Sequence, residues 1–308
     1  MIMMELLKSI SENYGIVVDD DKITKLGVTT INDIFVINND VKKYIVKMYN
    51  VDKEEQIRNS LSTQKIVFQS LKTAPDVLLN KNNELYTRYN DKFYAIQEFI
   101  EEQDNVNIDI IEETAKNLYF LHQELKKLDE SVYENKKLHS DRIFINDNIE
   151  ISKKELEKAE ISKEARSIYN ELLVKRKDLL EKYNCEYCPK EFQVIHRDIS
   201  ANNIIVNNDG VHFIDFDFVA YGDLLFEIGS SAMLISGFEI EKAKKFVNIY
   251  NSYSERKYKN EEIFKNLLAY YVQSDFPIKL INKVDNEVLI RFIDDRIRCL
   301  DFCEKSYN

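Results

Sequence analysis

The chain has 308 residues, 44% of them hydrophobic, which is enough to bury a substantial core in one large or two ordinary domains. Its formal net charge of −11, with no basic cluster to release counterions from a phosphate backbone, excludes a general nucleic-acid-binding role. An acidic balance would suit a cationic substrate, but it equally serves solubility and by itself decides little.

The first stretch, "MIMMELLKSISENYG", lacks the basic start, apolar run and small-residue cleavage site of an export signal. No later run is apolar enough to span a bilayer, so a cytoplasmic protein is expected. "ITKLGVTTINDIFVINN" and "KKYIVKMYN" are rich in β-branched and aromatic residues and read as strands, with "NND" as the turn between them. Residues 52–72 carry Ile57, Leu61, Ile66, Phe68 and Leu71 at mostly helical spacing, and Pro75 closes that helix. "NELYTRYN" and "KFYAIQEFI" read as two more strands, joined by a polar "YNDK" turn.

After "EEQDN" the pattern becomes helical. "IDIIEETAKNLYFLHQELKKL" places Ile111, Ala115, Leu118, Leu121, His122 and Leu125 on one stripe, where His122 reads as a packed core histidine. Residues 152–183 form a long charged helical stretch, and 224–306 are again mostly helical. A β-rich N-terminal part of about 100 residues therefore joins a helical C-terminal part, with the boundary in "QEFIEEQ". The cysteines fall as Cys185 with Cys188 and Cys299 with Cys303; zinc would need two distant pairs to converge, so reduced, partly buried thiols are the better expectation.

One stretch carries the chemistry: "VIHRDISANNIIVNNDGVHFIDFDF", residues 194–218. The spacing H-R-D-x-x-x-x-N from His196 to Asn203 is the catalytic-loop pattern of phosphoryl transfer. Asp198 would accept the proton of an acceptor hydroxyl, and Asn203 would turn back to ligate Mg²⁺. The hairpin "NIIV-NNDG-VHFI" brings Asn203, at the start of one strand, near Asp215 at the end of the other, which supplies a second metal ligand. Carboxylates so concentrated are tolerable only if a cation neutralises them, and Mg²⁺ prefers such oxygen ligands together with phosphate.

With these residues the chain resembles the aminoglycoside phosphotransferase and choline kinase family, small-molecule kinases that share the protein-kinase fold. The family's loop reads H-x-D-x-x-x-x-N followed by I-D-[FW]-[DE], and "GDLLFEIG" (222–229) resembles its G-D-P-x-x-D-L segment. The resemblance implies an α+β, protein-kinase-like two-lobe fold. A β-sheet N-lobe with one main helix (1–97) would bind nucleotide, a hinge (98–103) would follow, and a helical C-lobe with a helical insert (104–308) would carry the catalytic loop and acceptor pocket. It implies Asp198 as base and Asn203 and Asp215 as Mg²⁺ ligands, with His196, Asp217 and Asp223 in support. Asp223 precedes an apolar run and equally reads as a helix N-cap.

Upstream, Lys47 in "YIVKMY" would hold the α- and β-phosphates, while Lys42 and Lys43 at the strand start are solvated. The acid that orients this lysine in the family is replaced at the usual offset by Gln64, with Glu54 and Glu55 nearer the helix start. The phosphate-covering loop would be "LGVTTINDIF", with Gly27 as its single glycine and Thr29 and Thr30 cradling oxygens. Main-chain groups of Glu98 and Ile100 would meet the adenine edge. Arg197 stands where the family more often has Gly.

No A-P-E motif or activation segment follows Asp215, which sets the chain apart from protein kinases and favours a small-molecule acceptor. The expected reaction is Mg²⁺-dependent transfer of a γ-phosphoryl group from ATP or GTP to a hydroxyl, with no nucleic acid, membrane or protein partner implied. For an aminoglycoside, carboxylates such as Asp275, Asp294, Asp295 and Asp301 are candidates, though a helical solvent face suits each as well; for choline, Tyr270, Tyr271 and Phe276 are. Homoserine, an amino alcohol or a sugar is equally compatible. The alternative is a non-catalytic, nucleotide-binding member of the same fold, of the spore-coat type.

Overall fold

The computed structural model describes residues 2–26, 32–49, 54–133, 146–184, 187, 191–274 and 280–307. Gly27, Thr29, Thr30, Cys185, Cys188, Asp275 and Phe276 lie outside the described residues. The chain forms two compact units: Met1–Ile108 with Phe120–Tyr133 and Asn202–Val219, and Asp109–Tyr119 with Glu134–Ala201 and Ala220–Asn308. Residues 202–219 fall in the first of these units.

In the first unit, β1 (Ile23–Leu26), β2 (Asn32–Asn38), β3 (Lys43–Tyr49), β4 (Thr87–Tyr89) and β5 (Lys92–Glu98) form an antiparallel sheet in the order β1-β2-β3-β5-β4. Strand alternation sends successive side chains to opposite faces. Phe35, Ile37, Val46, Met48, Tyr94 and Ile96 pack on one face with Leu6, Leu7 and Ile10. These last three lie on α1 (Ile2–Tyr14), a helix that the sequence reading drew as no element and that adds to the single helix expected in this lobe. Its apolar residues recur three and four apart, which is the helical period.

On the other face, Tyr49 and Ala95 meet Ile57 and Leu61 of α2 (Glu54–Leu71). Lys47 lies on this α2 side, because β3 alternates and Lys47 stands opposite Ala95 in the register. The helix ends before Pro75 is reached: Lys72 takes a left-handed φ of 60°, and its N–H donates to Phe68 O at 3.1 Å, a C-terminal cap. The strands β7 (Ile204–Asn207) and β8 (Gly210–Phe213) form the expected hairpin, closed by an Asp209 N–H to Asn207 Oδ1 bond of 2.9 Å. Phe213 N–H donates to Thr73 O at 2.7 Å and Gln103 N–H to Val206 O at 3.0 Å, which ties the hairpin into this unit.

The helix α3 (Ile110–Leu125) buries Ala115, Leu118, Leu121, His122 and Leu125, as its apolar stripe requires. In the second unit the charged stretch divides into α4 (Asn146–Lys158) and α5 (Lys163–Tyr183), where Ser162 caps α5 by accepting from Ala165 N–H at 3.1 Å. A two-stranded sheet of β6 (Phe192–Ile195) and β9 (Ala220–Asp223) precedes α6 (Leu224–Ile235), which is buried nearly all round. The α7 (Ile240–Tyr253), α8 (Asn260–Gln273) and α9 (Asn286–Tyr307) helices complete the unit. Gly229 lets α6 and α8 approach closely, since a Cβ there would stand 2.9 Å from Ile263 Cγ2. Cys299 and Cys303 are buried and in no disulfide, and burial pushes the Cys299 thiol up to about 11. Among the described residues no helix is long and apolar enough to cross a membrane.

Because Ile10 is fully buried against the sheet, Ile10→Ala should lower stability by about 2–5 kcal/mol in denaturant unfolding. Met4→Ala, at an exposed position of the same helix, should change it by less than about 0.5 kcal/mol.

Candidate active site

The first unit gathers its chemistry around the Lys47 ammonium. Lys47 Nζ lies 2.8 Å from Asp215 Oδ1 and 2.8 Å from Asp217 Oδ2. The lysine side chain is 6% exposed, so removing it from water is costly by itself. Burial works to lower its pKa, but the Asp217 and Asp215 carboxylates outweigh this and hold it above the ordinary lysine value. The lysine is therefore charged at neutral pH.

The two acids differ in setting. Asp217 is 14% exposed and also accepts from Asn32 Nδ2 at 2.6 Å and Ser60 Oγ at 3.3 Å, while its main-chain oxygen takes Gln56 Nε2 at 3.4 Å. Burial pushes the Asp217 carboxyl up, Lys47 counters, and the Asp215 charge adds to the burial effect. Asp215 is 35% exposed and sits at a left-handed backbone position, φ 62°, ahead of the short turn Phe216–Phe218. A non-glycine residue there is strained unless its surroundings hold it. The hairpin supplies that hold: Ile214 N–H donates to Asn203 O at 3.0 Å, so the chain at Asn203 meets the chain just before Asp215.

An amide oxygen and a half-exposed carboxylate are hard donors that fit Mg²⁺. Among the described residues no group of three or more His, Cys, Asp or Glu forms a full metal cage. Mg²⁺ does not need one, since it binds through one or two carboxylates together with phosphates and water.

Gln64 does not turn to Lys47. It is buried on α2 and gives its amide to Pro75 O at 2.9 Å, because the chain after the helix folds back over it. Glu54 accepts from Tyr86 Oη at 2.6 Å and from Arg58, and Glu55 is exposed. The Glu98 N–H is donated to Asp76 O at 2.8 Å, and beside this segment Lys43 pairs with Glu101 at 3.1 Å.

In the second unit the catalytic-loop sequence leaves β6 through His196, Arg197 and Asp198. His196 is buried, and its Nδ1 accepts from the Asp198 N–H at 3.3 Å. Arg197 has φ 76°. The buried Glu227 carboxylate on α6 accepts from the His196 N–H at 3.2 Å and from the Arg197 N–H, which holds this unusual bend. Asp223 is buried and caps α6, accepting from Leu225 N–H at 3.2 Å, Asn266 Nδ2 at 2.6 Å and Tyr187 Oη at 2.9 Å. Its carboxyl is raised by burial, and these donors work against the rise. Asp294 and Asp295 are exposed on α9, and Asp301 pairs with Lys175. Tyr271 is buried with the Arg296 guanidinium 4.6 Å from its ring centroid, and Tyr270 packs on Phe226 at 4.2 Å.

The model of the phosphotransferase enzyme family matches residues 22–259, which spans both Lys47 and the His196–Asp217 run. The chain belongs to that family. No curated protein sequence matches it. Among solved structures, a spectinomycin phosphotransferase in complex with ADP and spectinomycin is similar at 14% identity and a TM-score of 0.67, covering 98% of each chain. A microcompartment-associated aminopropanol kinase follows at 12% identity and a TM-score of 0.64, over 98% of this chain and 96% of that one. Choline kinase from Cryptosporidium parvum Iowa II has 16% identity and a TM-score of 0.62, with the same coverage. At these identities the likeness establishes the protein-kinase-like fold.

This phosphotransferase carries two buried carboxylate contacts that the sequence alone does not show. Glu227 occupies the place of the last acid in the family's G-D-P-x-x-D-L pattern, and an acid inside the apolar run "LLFEIG" was the available signal. The Asp217 contact with Lys47 had no sequence signal, since it joins residues 170 positions apart.

Glu227→Ala would take the acceptor from the buried His196 N–H and the half-buried Arg197 N–H, and should cost about 1–3 kcal/mol in thermal or urea unfolding, mostly through His196. Arg197→Gly removes a side chain from a left-handed position and should shift stability by no more than about 1 kcal/mol in the same measurement.

Proposed function

We propose that this phosphotransferase moves the γ-phosphoryl group of ATP or GTP to a hydroxyl of a small molecule, in a Mg²⁺-dependent reaction. The observation that carries the reading is the buried Lys47 ammonium, 2.8 Å from each of two acids in the I-D-F-D run. A charged lysine beside a half-exposed carboxylate is what a polyphosphate with its metal requires.

In this reading Lys47 binds the α- and β-phosphates, and Asn203 and Asp215 hold Mg²⁺. Bound there, the metal would neutralise charge on the β- and γ-phosphate oxygens. Asp198 accepts the proton of the acceptor hydroxyl and orients its oxygen for in-line attack. His196, through the Asp198 N–H, and Glu227, through the His196 and Arg197 amides, fix the backbone from which Asp198 projects. Gly27, Thr29 and Thr30 would cover the phosphates. With the Glu98 N–H already donated, the adenine edge falls to the Glu98 carbonyl and to Ile100. Most of the rate then comes from positioning and charge stabilisation. We place the reaction in the cytoplasm.

The acceptor class follows the neighbours in part: spectinomycin, aminopropanol and choline kinases are all named for amine-bearing alcohols, and this chain has a net charge of −11. A hydroxylated amine is therefore the first acceptor to test.

The test is a transfer screen with Mg-ATP and Mg-GTP against aminoglycosides, choline-like amines, amino alcohols, homoserine and sugars. Wild type should phosphorylate one class. Asp198→Asn should lose about 10²–10⁴-fold of that rate while keeping nucleotide affinity within about threefold. No transfer, with equal background nucleotide hydrolysis in both proteins, would reject the enzyme reading in favour of a nucleotide-binding role.

A further inference from the structure

We propose that Asp217 is the positioning residue of Lys47, in the part that kinase-like phosphotransferases give to an acid on the helix after the lysine strand. The proposal rests on the reading of Lys47 as the phosphate-binding lysine. A lysine in that role must be aimed, and the acid that aims it in kinases comes from a helix whose placement then controls activity.

Here α2 offers no such acid. Its carboxylates, Glu54 and Glu55, are both in its first turn, and Glu54 is bound to Tyr86 and Arg58 on the surface. The Lys47 ammonium instead meets Asp217, two residues beyond Asp215 on the same short turn. Three elements converge on Asp217: β2 through Asn32, β3 through Lys47, and α2 through Ser60 and Gln56. An acid held by that many donors is a fixed counterion. Asp215, more than twice as exposed, shares the lysine but has room to turn to a metal-bound phosphate.

Two consequences follow. When Lys47 engages phosphate and Asp215 engages metal, the lysine still has a carboxylate beside it, so it need not give up its only partner. And because α2 meets the lysine's counterion only through neutral groups, movement of this helix does not make or break the ion pair. Lysine orientation is built into the turn that carries Asp215.

The test separates charge from packing. A cavity of about 40 Å³ beside Asn32, Tyr49, Ser60 and Asp217 leaves space to move the carboxylate onto α2. Four proteins are compared: wild type, Asp217→Asn, the exchange Ser60→Asp with Asp217→Ser, and Glu54→Gln. Mg-ATP affinity is measured by calorimetry, fold by circular dichroism, and the Lys47 ammonium by ¹⁵N NMR. Wild type should show a through-hydrogen-bond correlation from Lys47 Nζ to Asp217 Cγ. Asp217→Asn should weaken Mg-ATP binding about 10–100-fold with the fold retained and the ammonium signal broadened. The exchange should recover affinity and signal, and Glu54→Gln should match wild type.

Wild-type affinity in Asp217→Asn, or an exchange protein that folds but binds no better than Asp217→Asn, would overturn the proposal. So would absence of the Nζ–Cγ correlation in wild type, a result that needs no variant to fold. If wild type binds no nucleotide at all, the phosphotransferase reading of Lys47 fails, and the correlation alone then decides whether Asp217 positions the lysine.

Discussion

A lysine ammonium buried under a β-sheet must be neutralised, and in this protein the partners come from a turn about 170 residues away in the chain. That constraint organises the first unit. The β3 strand has to point Lys47 toward α2, the β7–β8 hairpin has to be tied to the chain at Thr73 and Gln103, and the turn after β8 has to be bent so that both acids reach the ammonium. Removing either sign would leave the other buried without compensation, which costs far more than an exposed pair contributes.

The acids of the I-D-F-D run are alike in sequence and unlike in setting. Asp217 is enclosed by neutral donors, whereas Asp215 is half-exposed on a left-handed turn. In the proposed reading this arrangement divides the work between a carboxylate that aims the lysine and one that can exchange partners. In the second unit a buried carboxylate again sets a bend, as Glu227 accepts the two N–H groups at which the catalytic-loop chain turns through Arg197. The left-handed φ there gives a physical reason why relatives more often use glycine at this position.

Much of this was legible beforehand because it is local. The strands β1–β5, the hairpin β7–β8 and the helices α2 and α3 follow from alternation, turn residues and apolar stripes. The motif from His196 to Asp215 follows from spacing, and the cap role of Asp223 from its place before an apolar run. Other features depend on which donors and acceptors meet once the chain folds. Gln64 occupies the offset of the usual acid, but its amide is captured by Pro75 once the post-helix segment folds back. The α1 helix has a local signal in the helical spacing of Leu6, Leu7 and Ile10, and its burial comes from packing on the sheet. The division of residues 152–183 is local, set by the Ser162 cap, which accepts from Ala165 N–H three residues on.

We propose that the ammonium of Lys47, held by two acids, is the phosphate site of this phosphotransferase. An acyl-phosphate derivative of ATP, which transfers its acyl group to the lysine beside the bound phosphates, tests this on the unmodified protein. Peptide mapping by mass spectrometry should find the acyl group on Lys47, and excess Mg-ATP should suppress the labelling. Acylation spread over surface lysines such as Lys42 and Lys43, undiminished by Mg-ATP, would contradict it.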